Sequence, residues 1–123
     1  MNTKMNYLYR DGANYKAHNE IIVKGEITEE QISRIIASLT MGDSFIPEQI
    51  NLPIERPSDE LTSEDHCYCE LTEDCFELTG DEETESLTCE ELVQLFEKAA
   101  KDGWDDVTYG IFVDECEDDE GDC

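Results

Sequence analysis

A chain of 123 residues carrying 33 Asp and Glu against 8 Lys and Arg has a formal net charge of −25. That length suits one ordinary domain, and that charge excludes direct attachment to nucleic acid or anionic lipid, whose phosphates are met with Lys and Arg. No window approaches the roughly 18 apolar residues of a membrane span, and residues 1–6 form no apolar leader, so the cytoplasm is the expected location.

The charge is uneven. Residues 1–50 hold five basic and seven acidic side chains, whereas residues 51–123 hold three and twenty-six. Between Pro57 and Glu97, fifteen of forty-one residues are acidic and none is basic. Such a segment cannot neutralise itself, so its field must reach solvent, a metal ion or a basic partner. Carboxylates repel within a screening length of roughly 10 Å at 0.1 M salt, so stability should rise with salt and divalent cations. Apolar residues are 38% of the chain, enough for a modest core because they recur in blocks.

Residues 5–10, Met-Asn-Tyr-Leu-Tyr-Arg, have strand composition and end at the turn cluster Asp11-Gly12-Ala13-Asn14. A second, β-branched run covers residues 20–27, which predicts two antiparallel strands joined by a loop holding Tyr15, Lys16 and an exposed His18. Thr28-Glu29-Glu30-Gln31 is a capping box flanked by Ile27 and Ile32 at the staple positions. Ile32, Ile35, Ile36 and Leu39 then repeat at helical spacing, predicting about three turns that end near Met41-Gly42. Pro47 and Pro53 forbid a regular helix through residues 44–53. Phe45, Ile46, Ile50 and Leu52 make that stretch a connection pinned to the core, or a recognition segment presenting Glu48 and Gln49.

Tyr7-Leu8-Tyr9-Arg10-Asp11 with Asn14-Tyr15-Lys16, then Phe45-Ile46-Pro47-Glu48-Gln49 with Leu52-Pro53, then Glu64-Asp65-His66 leading to Glu70-Leu71, resembles a family of short, acidic, uncharacterised bacterial proteins. The resemblance covers roughly residues 5–100 and implies a single small domain in a bacterium or its mobile elements. It implies no activity, so no functional residue is carried over. The cysteines and the acidic tail depart from it.

Residues 58–64 read as a polar connector. Residues 66–71 alternate, with Cys67, Cys69 and Leu71 on one face and His66, Tyr68 and Glu70 on the other, as in a half-buried strand. Residues 75–79 are expected to pair with it across Thr72-Glu73-Asp74, and residues 80–86 to form a mobile acidic loop. A second capping box, Thr88-Cys89-Glu90-Glu91, stapled by Leu87 and Leu92, opens a helix whose apolar face holds Leu92, Val93, Leu95, Phe96, Ala99 and Ala100. Lys98 and Lys101 suit its C-terminal end, and Gly103 its terminus. Trp104 should fold back on the last turn, and residues 107–113 should form a strand with Tyr109, Ile111 and Val113 on one face. The last ten residues hold seven acids and read as a disordered tail. The expected fold is therefore α+β: one domain over residues 1–113, a mainly antiparallel sheet with two helices on one face, and a tail over residues 114–123.

No constellation selects a chemistry. Six cysteines sit at 67, 69, 75, 89, 116 and 123, with His66 beside the first, but no Cys-x-x-Cys turn supports zinc and no secretion signal supports disulfides. An EF-hand begun at Asp81 fails, with Ser86 where Gly belongs and Leu92 where Glu belongs. His66 and Cys67 point to opposite faces of a strand and cannot form a dyad, and no Gly-rich phosphate loop occurs. No catalytic residue, metal or cofactor is therefore expected.

Three functions remain open. The first is a non-catalytic module, a DNA mimic, whose acidic face occupies the basic surface of a nucleic-acid-binding partner such as a host defence nuclease. Its candidate contacts are Glu64, Asp65, Glu70, Glu73, Asp74, Glu77, Asp81, Glu82, Glu83 and Glu85. The second is a small metal-binding or redox-responsive protein using His66 and the cysteines. In the third, the acidity of an uncharacterised bacterial domain serves solubility alone.

Overall fold

Alternation in the first ten residues builds the central strand. In the computed structural model, which describes residues 1–57 and 65–110, β1 (Asn2–Arg10) buries Thr3, Met5, Tyr7 and Tyr9 and leaves Lys4, Asn6, Leu8 and Arg10 half-exposed. It pairs with β2 (Lys16–Val23) in an unbroken antiparallel register from Thr3↔Val23 to Arg10↔Lys16. The Asp11 carboxylate closes the turn by accepting from the Ala13 and Tyr15 N–H groups, and Asn14 takes the left-handed conformation, φ 71°. The loop is thus shorter than predicted. Lys16 and His18 belong to β2, and His18 is exposed as expected.

The second strand also ends sooner than its composition suggests. Gly25, at φ +92°, turns the chain, and the Ile27 N–H donates to Thr3 Oγ1 instead of continuing a ladder. The first helix, α1 (Glu29–Ala37), starts on the predicted Thr28/Gln31 capping box. It stops at Ser38, short of Met41-Gly42, because Thr40 and Ser44 exchange backbone hydrogen bonds of 2.8 Å around a tight turn with Met41 at φ 52°. Beyond that turn, β3 (Ser44–Phe45) leads into a 3-10 turn, Pro47–Ile50. Phe45, Ile46, Ile50 and Leu52 are all buried, so this stretch is pinned to the core.

Two short strands share the second edge of β1. Glu70 of β4 (Cys69–Glu70) lies opposite Leu8, and β5 (Phe76–Thr79) lies opposite Met5 to Asn2, both antiparallel to β1. Between them the 3-10 turn Glu73–Cys75 shifts the register along β1 without reversing the chain. This corrects the expected hairpin of residues 75–79 with residues 66–71. β4 has β1 on one side and β3 on the other, so no edge of it is free for β5. The alternation across residues 66–71 does hold: Cys67, Cys69 and Leu71 are each 1% exposed.

The acidic residues after β5 run along the outer edge of β2. Ile22 N–H donates to Thr84 Oγ1 and Thr84 N–H returns to Ile22 O, then Lys24 N–H meets Leu87 O and Cys89 N–H meets Lys24 O, all at 2.8–3.1 Å. The loop is tied down at Thr84 and Glu85, where the sequence suggested mobility. The second helix, α2 (Cys89–Asp102), begins on the predicted Thr88/Glu91 box and ends at Gly103. It buries Cys89, Leu92, Val93, Phe96 and Ala99 against the sheet.

Contacts at each end show that the helices run in the same direction: Gln31 donates to Glu90 near their starts, and Trp104 Nε1 donates to Ser38 O past their ends. Trp104 does fold back, packing its ring on Phe45 and Phe96 with centroids 6.3 and 6.2 Å away. The architecture is the expected α+β, an antiparallel sheet of five strands with two helices. The strand predicted over residues 107–113 is not present through 110. The Asp105 carboxylate accepts from Val107 and Thr108 N–H groups and makes a turn, leaving Val107 76% exposed. Residues 111–113 and the tail over 114–123 lie outside the described residues. No helix among the described residues is long and apolar enough to cross a membrane.

Candidate protein-interaction surface

The ten predicted contact residues do not form one patch. Glu64 lies outside the described residues. Asp65 and Glu70 sit near the far end of β1 and are engaged: Tyr9 Oη donates to Asp65, and Arg10 Nε reaches Glu70 at 3.2 Å. Burial pushes the Tyr9 hydroxyl up to about 12, with the Asp65 hydrogen bond adding to the shift. The Arg56 guanidinium covers that ring at 5.1 Å and donates to His66 O.

The other seven follow the chain along β5 and its loop. Glu73 and Asp74 are exposed on the 3-10 turn, and Glu77 faces Lys4 in register while accepting from Asn6. Asp81 and Glu82 are exposed, Glu83 sits 3.6 Å from Lys24, and Glu85 is half-buried. This line ends where the two helices begin. There the Asn2 side chain bridges Gly25 N–H and Asp81 O, and the exposed Glu26, Glu29, Glu30 and Glu91 join the acidic end. Sequence reasoning missed the first three of these, because they belong to the half of the chain that is nearly neutral. The capping boxes were the available signal, since a helix start favours carboxylates in its first turn.

Part of the acidic stretch is neutralised from outside. Arg34 on α1 takes two carboxylates of α2, with NH1 and NH2 on Glu90 at 3.1 and 3.0 Å and Nε and NH2 on Glu97 at 2.9 and 2.8 Å. Residues 90 and 97 lie two turns apart on one helix face, so a single guanidinium bridges both. Its hydrogen bonds hold both carboxyls below their ordinary 4.5. Gln31 and Gln94 also donate to Glu90.

The cysteines are placed for packing. Cys67, Cys69 and Cys89 are buried, and burial pushes the Cys67 and Cys69 thiols up to about 11 and 12, away from the thiolate that metal binding or exchange requires. Both ring nitrogens of His66 are used, Nε2 donating to Arg10 O and Nδ1 accepting from Tyr68 N–H. Among the described residues, no group of three His, Cys, Asp or Glu side chains converges as metal ligands would. Cys116 and Cys123 lie outside them.

A cleft of about 700 Å³ opens between the end of α2 and the 3-10 turn at Pro47, walled by Ile50, Leu95, Trp104 and Tyr109. Several of its polar side chains are engaged within the protein. Gln49, instead of being presented, donates to Gly103 O and accepts from Asp105 N–H, and Lys98 holds Asp102 at 2.8 Å. None of the ten predicted contacts lines it.

No family model matches the chain, and no curated protein or solved structure does either.

Proposed function

We propose that this protein is a non-catalytic, cytoplasmic interaction module whose acidic surface occupies a basic surface on a protein partner, of the kind that otherwise holds nucleic acid. The observation that carries the reading is the separation of charge within the fold. Arg34 takes up Glu90 and Glu97, whereas Glu73, Asp74, Asp81 and Glu82 stand exposed along one edge and one end of the sheet. B-DNA presents one phosphate charge per ~1.7 Å of axis, and a row of carboxylates on a folded scaffold competes for the same Lys and Arg groups. A defence nuclease of the host is one partner of that chemistry.

The test is competition. The protein is titrated into complexes of a fluorescent DNA duplex with purified DNA-binding proteins and nucleases, over a series of salt concentrations. Displacement at low salt is the expected result, with a direct affinity for the same partners that falls as salt rises. Absence of displacement from every complex at low salt, with the protein folded, would contradict the reading.

A further inference from the structure

We infer that β5 is a docking edge for an extended, Lys- or Arg-bearing segment of a partner, added to the sheet as a further antiparallel strand. This rests on the reading above and names how the partner is held. Ile22, opposite Lys4, turns its N–H and C=O outward to Thr84. So the odd-numbered residues of β1 face β2, the even-numbered ones face β5, and in β5 Glu77 and Thr79 turn their main-chain groups toward Lys4 and Asn2. The N–H and C=O of Leu78 and the C=O of Phe76 therefore point away from β1. Among the described residues β5 has a strand on one side only.

The neighbouring strand does not reach it. β3 covers the edge of β4 as far as Leu71, whose N–H donates to Asp43 O, and the chain then turns back through Thr40 to Ser44. The opposite sheet edge is closed at Ile22 and Lys24 by residues 84–89, so the contrast lies within one sheet. Open edges invite a strand, and proteins blunt them with short strands, charges, Pro or bulges. This edge is four residues long and carries one charge, the acidic Glu77, with no Lys or Pro over Phe76–Thr79. It shows instead Leu78, 47% exposed, on the side of the sheet that bears the core, and Glu77 on the other.

Charge selects the occupant. Glu73, Asp74 and Glu77 flank the edge and Asp81 follows it, so a second copy of this chain would bring like charges together, while a strand alternating apolar and basic residues would not. The apolar residues of such a strand would lie beside Leu78 and its basic residues beside Glu77. The main chain would supply affinity and the alternating side chains selectivity.

The probe is the capped peptide Lys-Val-Lys-Val-Lys-Val, with amide shifts and hydrogen exchange read by NMR on the full chain. In the paired geometry the Val N–H groups face β5. N-methylation of the valines should weaken binding by roughly tenfold, as loss of two hydrogen bonds implies, while N-methylation of the lysines leaves it unchanged. The Leu78 amide should become protected with the unmodified peptide. Leu78→Pro should remove the outward N–H without breaking the β1 ladder and lower affinity by a similar factor. If that variant does not fold, the two methylated peptides on the natural chain decide alone. Equal binding of all three peptides would overturn the edge and leave the acidic-surface reading standing. Binding of none at low salt would overturn both. Leu78 protection that grows with protein concentration and no peptide would assign the edge to a second copy and overturn the proposal.

Discussion

Two parts of one acidic stretch meet different fates. Glu90 and Glu97 on α2 close on Arg34, whereas Glu73, Asp74, Asp81 and Glu82, equally acidic and upstream in the same stretch, keep their charge in solvent. Composition does not separate them. What separates them is whether the nearly neutral first half of the chain delivers a cation to the same place. One guanidinium on α1 suffices to turn two carboxylates from a source of repulsion into a joint between helices.

The comparison breaks most severely through the core that brings the helices together. Phe96 is fully buried and packs on Phe45 at 5.0 Å, so Phe96→Ala should cost about 3–5 kcal/mol in urea unfolding, a large share of the roughly 5–15 kcal/mol that holds a domain. Next comes Arg34→Met. It leaves Glu90 and Glu97 facing each other without their shared cation, and the thermal midpoint should fall clearly, more at low salt than at high.

The pH dependence of that difference has a definite sign. Glu90 and Glu97 have folded-state values below 4.5, so the stability they contribute is present in full above the ordinary carboxylate range and is lost as pH falls through their lowered values. The gap in unfolding free energy between the natural chain and Arg34→Met should therefore be constant near neutral pH and close as pH falls below the ordinary carboxylate range. A gap that widens on acidification would contradict the clamp.

Smaller effects sharpen the other side. Glu73→Gln with Asp74→Asn should leave the unfolding midpoint almost unchanged, since both side chains are exposed and off the helix joint. Raising salt to about 0.5 M should stabilise the natural chain by screening the carboxylates that remain unpaired. Thiol alkylation with peptide mapping should label Cys75 in the folded protein well before Cys67 and Cys69, whose thiols are buried and pushed up to about 11 and 12. Prompt labelling of Cys67 or Cys69 would revive a redox role.

Much of the scaffold was legible because its signals are local. Thr28/Gln31 and Thr88/Glu91 each place a hydroxyl and a carboxylate or amide three residues apart, and both helices start there. The alternation at residues 66–71 marked its buried face correctly. The pairing of β5 was not legible. Thr72-Glu73-Asp74 has hairpin composition, and only the presence of β1 and β3 on both sides of β4 rules a hairpin out. The Arg34 joint spans 56 and 63 residues of sequence, and nothing local to Glu90 or Glu97 announces it beyond their shared helix face. Val107 to Gly110 misled through apolar alternation, where one Asp105 carboxylate outweighs strand composition by capping two N–H groups.

The central claim is that position and not total charge governs what the acidic stretch does. Two double variants that remove the same charge test it: Glu73→Gln with Glu77→Gln on the open edge, and Glu90→Gln with Glu97→Gln in the clamp. Affinity for the Lys-Val peptide and the thermal midpoint are measured on both at one low salt concentration. The edge pair should lose affinity and keep its midpoint, and the clamp pair should lose its midpoint and keep its affinity. Equal losses of affinity in both would show that net charge alone attracts the peptide, and would contradict the account.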